Sequence, residues 1–201
     1  MNGTVFYYDQ NAELFFKETV EVKMSFLYAE FLTHIPPGGR ILDAGCGSGR
    51  DSLYFLQHGY KLDAFDASVE MCRLASNFIG QPVLQKTFED IDYVSAFDGV
   101  WACASLLHVP RDRMDAVLER FSRALKPGGV MFLSFKLRDG EWEMDGRFFT
   151  GYDQNSFQEL VKTHPSFAIC LIWTTDDARR DRKNERWLNA LIQRVDEGPE
   201  M

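Results

Sequence analysis

The apolar positions fall into two registers that alternate along most of the chain. Short apolar runs of strand length occur at residues 40–44, 61–65, 82–88, 97–104 and 130–135, each bounded by glycine, proline or an acid. Between them the spacing is helical. In residues 11–35 Met24, Leu27 and Phe31 share one helix face, and Pro36-Pro37-Gly38-Gly39 ends the run. Residues 50–58 read as a helix stopped by Gly59, and Ser68 can cap a helix that turns Cys72, Ala75 and Phe78 inward. Met114, Val117, Leu118, Phe121 and Leu125 make the clearest amphipathic helix, broken by Pro127-Gly128-Gly129. This alternation predicts βαβ units around a parallel sheet, an α/β fold that binds ligands at the carboxyl ends of its strands.

The tail leaves the alternation. A helix is expected over residues 157–161 behind an Asp153 cap, and a strand over 167–174. The run Trp187-Leu188-Asn189-Ala190-Leu191-Ile192 has helix and strand readings. The strand reading is preferred, paired with 167–174 in a long hairpin, because the polar link at 176–186 is too short for the crossover that parallel strands need. Its basic residues Arg179, Arg180, Arg182 and Lys183 alternate with Asp176, Asp177 and Asp181, as a solvated loop would.

Composition narrows the class. The 201 residues are 45% hydrophobic and 14% aromatic, enough for one domain with a sizeable core. Three parts are expected: an N-terminal helical cap at 1–37, a ligand-binding core at 38–136, and a loop, helix and hairpin at 137–201. The net charge of −8 argues against broad binding of nucleic-acid phosphates. No apolar run reaches the ~20 residues of a spanning helix, and Met1-Asn2-Gly3-Thr4 is not a signal-peptide start. A cytoplasmic protein is expected. Cys46, Cys72, Cys103 and Cys170 are spaced too widely for a zinc site and are read as reduced, so no metal is expected.

The chemistry concentrates in Ile41-Leu42-Asp43-Ala44-Gly45-Cys46-Gly47-Ser48-Gly49-Arg50, which follows a strand and opens a helix. Glycines at 45, 47 and 49 let the backbone turn sharply and approach a ligand, and the helix start behind them offers free N–H groups. Asp66 ends the next strand, where a carboxylate can accept both hydroxyls of a ribose. The order is Gly-x-Gly-x-Gly, not the Gly-x-Gly-x-x-Gly of dinucleotide binders. Asp43, before the turn, can hold an ammonium group, which nicotinamide cofactors lack.

On these residues the chain resembles class I S-adenosylmethionine-dependent methyltransferases. Asp43-Ala44-Gly45-Cys46-Gly47-Ser48-Gly49 resembles their first motif, Asp66 their ribose-binding acid, Phe97-Asp98-Gly99-Val100-Trp101 their fourth strand and Leu125-Lys126-Pro127-Gly128-Gly129 the turn before the fifth. Within the superfamily it is most similar to small bacterial methyltransferases of the tellurite-resistance type, through Cys46-Gly47-Ser48-Gly49-Arg50-Asp51, Ser105-Leu106-Leu107-His108-Val109-Pro110 and Ser134-Phe135-Lys136. The resemblance implies a doubly wound, Rossmann-like, mostly parallel seven-stranded sheet with the last strand antiparallel. It implies S-adenosylmethionine as cofactor and S-adenosylhomocysteine as product. Gly45 and Gly47, with Asp43, Cys46, Gly49 and Arg50 of the same turn, would meet its methionine part. Ala104 and Ser105 would lie near the methionine end or the sulfonium, Asp66 on the ribose, and Ala67, Thr87, Phe88 and Glu89 around the adenine.

Methyl transfer from a sulfonium needs mainly proximity, alignment and a dry pocket. A base is required only for an acceptor that must lose a proton early. His108, after the fourth strand, is a candidate base or substrate contact, or a loop histidine packed near Pro110. Tyr7 and Tyr8 either belong to a lid or staple the first helix. Lys136, Arg147 and Phe149 lie beyond the fifth strand, where an acceptor would approach; Arg147 can hold an anion or sit solvated on the surface. A small-molecule acceptor is expected, on a monomer or homodimer away from membranes. The alternatives are a noncatalytic cofactor- or partner-binding module and a nucleic-acid methyltransferase. Against the latter stands Ala102-Cys103-Ala104-Ser105 in place of the Asn/Asp-Pro-Pro-Tyr/Phe turn of base amino methylation.

Overall fold

A computed structural model of the chain describes residues 3–179, 182 and 184–195. Two helices open it, α1 (Gly3–Thr19) and α2 (Ser25–Leu32). Strands and helices then alternate: β1 (Arg40–Ala44), α3 (Arg50–Gln57), β2 (Lys61–Asp66), α4 (Val69–Ile79), β3 (Leu84–Gln85), β4 (Phe97–Ala102), α5 (Arg111–Ala124) and β5 (Leu125–Lys136). A hairpin of β6 (Gly140–Met144) and β7 (Arg147–Gly151) follows, then α6 (Gln154–Lys162), β8 (Phe167–Asp176) and β9 (Arg186–Arg194). The main sheet has the order β3-β2-β1-β4-β5-β9-β8. Its strands are parallel except β9, which runs antiparallel to both β5 and β8.

Period-2 alternation feeds a core on each face of this sheet. Leu42, Val100 and Leu133 join Phe121 and Phe157 from α5 and α6 on one side. Ile41, Trp101 and Phe132 meet Phe31 and Phe55 from α2 and α3 on the other. The chain lays β1 to β3 outward in one direction, then returns to place β4 on the opposite side of β1. That reversal leaves a crevice beyond the carboxyl ends of β1 and β4, where an open α/β sheet takes its ligand.

The tail hairpin forms as expected, with β8 and β9 paired from Phe167↔Arg194 to Asp176↔Arg186. Asp153 caps α6 by accepting from the Ser156 N–H at 2.8 Å. Several expectations are corrected. The single helix over 11–35 is two helices, because α1 packs along α4 and β7 whereas Leu27, Tyr28 and Phe31 of α2 face the sheet core. The β-branched stretch around Thr19, Val20 and Val22 makes the break cheap. The third strand is only two residues long, since Thr87 and Asp90 form a capping box around a 3-10 turn at Phe88–Asp90. Phe78 is 37% exposed and meets Phe16 of α1 edge-on, so it does not turn inward with Cys72 and Ala75. Pro127-Gly128-Gly129 does not break ahead of β5. The strand starts at Leu125 and absorbs the extra residues as a register shift between Phe97↔Leu125 and Gly99↔Val130. The stretch after β5, read as a loop, holds the hairpin β6–β7, turned at Asp145 and Gly146 with φ of +52° and +75°.

Candidate functional site

A cleft of about 650 Å³ opens at the carboxyl ends of β1, β2 and β4 and is roofed by α1. Its floor is the glycine turn. Gly45 and Cys46 donate their N–H groups to the Phe65 carbonyl at 2.9 and 3.0 Å, tying the turn to β2. Gly45 has φ +76°, and a Cβ there would stand 2.6 Å from the Ser105 Cβ, so only glycine fits both the backbone and the space. The Ser105 hydroxyl donates to the Ala44 carbonyl at 2.6 Å. Beside it Ala104 holds φ +53°, its N–H donating to the Ser134 hydroxyl at 2.8 Å. This non-glycine residue in the left-handed region ends β4 at the cleft edge.

Three carboxylates stand behind or beside the turn, in different states. Asp66 accepts from the Gly47 N–H at 2.9 Å and the Ser68 N–H at 3.0 Å and lines the cleft. Burial raises its pKa, against the pull of those N–H groups. Asp43 is 2% exposed and accepts from the Ser52 hydroxyl at 2.6 Å, under the turn and outside the cleft wall. Burial and the charge of Asp51 push its pKa up. Asp51 is buried too, which works to raise its pKa. The Arg50 guanidinium, through bonds of 2.6 and 2.9 Å, and donation from Tyr28 and Trp101 together hold it below the usual carboxylate range. The pair anchors Arg50 in the cleft wall. Burial raises the thiols of Cys46 and Cys103, the latter to about 12, so both are protonated packing groups here.

The other end of the cleft is built on the turn after β4 and on the β6–β7 hairpin. His108 closes a 3-10 turn at Leu106–His108. Its Nδ1 lies 2.6 Å from the Phe148 carbonyl, which can only accept, so Nδ1 carries the proton. Nε2 therefore accepts from the Tyr8 hydroxyl at 2.9 Å. Burial and the nearby Arg147 push the His108 pKa down to about 4, and the ring is neutral at physiological pH. Burial raises the Tyr8 phenol, with Arg147 pulling it back. Phe149 is buried beside His108, and Trp142 stacks on its far side at 5.6 Å. Arg147 is 8% exposed, not a solvated surface residue. Lys136 pairs with Glu185 over the Trp187 ring, and burial pulls its pKa down to about 8.

Of the residues singled out in the sequence, Gly45, Cys46, Gly47, Arg50, Asp66, Ala67, Thr87, Phe88, Glu89, Ala104, Ser105, His108, Tyr8, Lys136, Arg147 and Phe149 all line this cleft. Phe88 is half-buried against Phe65, whereas Thr87 and Glu89 are exposed at the rim. Asp43 and Gly49 do not line it. Gly49 instead starts α3 at φ +76°, where a Cβ would meet the Ile79 Cγ2 at 2.9 Å. Sequence reasoning missed the wall made by Asp177, Arg179, Arg182 and Trp187. Asp177 accepts from Arg179 at 2.7 and 2.9 Å and from the Trp187 indole at 3.0 Å. The signal was the mixed-charge run itself, set beside a tryptophan; Arg180, Asp181 and Lys183 lie outside the described residues.

Residues 41–129 match the family described as "Methyltransferase domain". The S-adenosyl-L-methionine-dependent Diels-Alderase iccD of Talaromyces variabilis is 34% identical over 105 residues, 47% of this chain and 35% of its own length. A ubiquinone biosynthesis O-methyltransferase of Xanthomonas campestris is 33% identical over 105 residues, 49% of this chain and 43% of its own. The chain thus spans less than half the length of these curated relatives. Among solved structures, the 1,6-didemethyltoxoflavin-N1-methyltransferase of Burkholderia thailandensis, crystallised with bound 1,6-didemethyltoxoflavin and S-adenosylhomocysteine, superposes with a TM-score of 0.78 at 22% identity, over 96% of this chain and 85% of that one. The N-methyltransferase NodS of Bradyrhizobium japonicum superposes with a TM-score of 0.72 at 13% identity over the whole of both chains. At such identities the likeness is one of fold. The matched segment, however, runs from the first strand through the glycine turn and Asp66 to the start of the fifth strand, so the part of the chain that carries the turn is similar to methyltransferase domains in sequence as well as in fold.

Proposed function

We propose that the chain transfers the methyl group of S-adenosylmethionine to a small-molecule acceptor bound in the same cleft. The observation that carries this is the shared space: the glycine turn with Asp66 and the His108–Tyr8 pair open into one cavity. The residues fit the cofactor. The crowded approach at Gly45 leaves room only for backbone, and Asp66 offers carboxylate oxygens where ribose hydroxyls would donate. Ala67 and Phe88 would flank the adenine, and Gly45, Ala104 and Ser105 the methionine end. Arg50 and Cys46 complete that wall, while Asp43 and Gly49 act from beneath it on the shape of the turn. The cofactor would supply an already activated methyl group, open to in-line attack by an acceptor lone pair, with the S–CH3 bond broken and its electron pair left on sulfur.

The chain's own part is positioning. Tyr8, Phe149 and Arg147 would bound the acceptor, with Lys136 at its far edge. Residues 1–37 would act as the cover, 38–136 as the cofactor-holding core and 137–201 as the acceptor side. A neutral His108 Nε2 can accept a proton through Tyr8 late in the displacement. It is too weak a base to ionise an acceptor beforehand.

The test is calorimetric titration with S-adenosylmethionine and, separately, NAD. Binding of the first only is expected, weakened about tenfold or more by Asp66→Ala through loss of bonds to a charged group. A screen of acceptors, including thiols, selenite and tellurite, should then yield S-adenosylhomocysteine. Binding with no such product from any acceptor would leave the fold as a cofactor-holding scaffold, and no binding would sink the reading.

A further inference from the structure

Arg147 is the least compensated buried cation of the cleft. Its side chain is 10% exposed, yet the acid it pairs with, Asp145, is 68% exposed and stands 3.6 Å away. Its Nε has no hydrogen-bond partner among the described residues, and the group that hydrogen-bonds the guanidinium from within the cleft, the Tyr8 phenol, is neutral. The Tyr7 and Phe149 rings lie 4.4 and 5.2 Å from its guanidinium carbon. Aromatic faces recover part of the cost of desolvating a guanidinium, but a buried charge with no buried anion remains expensive. Other cations of the same wall are already matched. Arg50 is bidentate on Asp51, Arg179 is bidentate on Asp177, and Lys136 is paired with Glu185.

We propose that the methyl acceptor is a small carboxylic acid, whose carboxylate is held by Arg147 and whose apolar body lies against Phe149 and Tyr8. This rests on the reading of the cleft as a methyl-transfer site and names the class of acceptor within it. A guanidinium fork matches a carboxylate through charge-assisted bonds, and here the buried Nε lacks a partner while the Tyr7 and Phe149 rings hold the guanidinium between them. The weak base at His108 agrees with an acceptor that arrives ionised or sheds its proton only after attack. Arg50, carried by the glycine turn itself, is the cation better placed for an anion on the cofactor.

The experiment uses the full chain saturated with S-adenosylhomocysteine and three matched pairs of fragments: benzoate and benzamide, 2-naphthoate and 2-naphthamide, indole-3-acetate and indole-3-acetamide. Calorimetry should show at least one acid binding about tenfold or more tightly than its amide, the worth of a charge-assisted bond. Arg147→Met should abolish that preference and Arg147→Lys should restore part of it, both keeping wild-type affinity for S-adenosylhomocysteine. Equal binding of acids and amides, or binding of neither at millimolar concentration, overturns the proposal. So does loss of S-adenosylhomocysteine affinity in Arg147→Met, which would give the arginine to the cofactor's own carboxylate. Failure of the wild type to bind S-adenosylhomocysteine would instead sink the underlying methyl-transfer reading.

Discussion

The imidazole of His108 shows how a single side chain is set by what surrounds it. Its Nδ1 proton is committed to the Phe148 carbonyl and its Nε2 lone pair to Tyr8, so the ring is fully used while neutral. The unfolded chain takes up a proton near the ordinary imidazole value of about 6.5, the folded chain only near 4. Between those values the unfolded state binds more protons, so this group's contribution to stability falls as pH drops. Urea unfolding midpoints from pH 7 to pH 4 should therefore decline more steeply for the wild type than for His108→Gln; parallel curves would refute the neutral assignment. The glycine turn was legible in the sequence because a backbone requirement dictates residue type directly, as the crowding at Gly45 shows. The burial of Arg147 was not legible. It depends on Tyr7 and Phe149 arriving from elements far apart in the chain, and no local pattern records that.

At the scale of elements, α1 behaves as a roof fastened on both sides. Asp9 accepts from the Ser68 hydroxyl at 2.6 Å, at the start of α4. On the far side the Thr4 hydroxyl accepts from the Phe148 N–H at 3.0 Å, in β7. Ser68 serves twice, since its hydroxyl oxygen also accepts from the Met71 N–H at 3.1 Å as the N-cap of α4. Ser68→Ala should cost about 1 kcal/mol in chemical denaturation, the ordinary worth of a cap. By leaving Asp9 only its longer bond from the Glu70 N–H, at 3.4 Å, it should also speed ligand release in stopped-flow measurements, whereas Ser68→Thr should keep both properties near wild type. The strands and helices around the glycine turn could be read from periodicity, because each strand feeds a core on both faces and each helix packs along one. The β6–β7 hairpin escaped because it is a separate two-stranded sheet, and β6 sets Trp142 between the acids Glu141 and Glu143, with little apolar alternation to read. The Asp145-Gly146 pair that turns it was a usable signal.

Across the whole molecule the net charge of −8 contrasts with a cleft whose far wall carries Lys136, Arg147, Arg179 and Arg182, most of them matched by acids. No helix among the described residues is long and apolar enough to cross a membrane. The sheet ties the two cores together, and β9 does so late in the chain: Leu188, Ala190 and Ile192 face one core and Leu191 the other. Leu191→Ala should cost about 3 kcal/mol, as truncation of a fully buried leucine does, read from the urea midpoint. A loss below 1 kcal/mol would mean that β9 is not an integral part of the core.

The position of β9 between β5 and β8 also bears on synthesis. While residues 186–194 are still inside the ribosome, β5 has an open edge and β8 has no neighbour in the sheet. A nascent chain that has already built its glycine turn must wait for these residues before its sheet can close. Until then it presents a long apolar strand edge, the kind of surface that chaperones cover and that pairs wrongly with other chains.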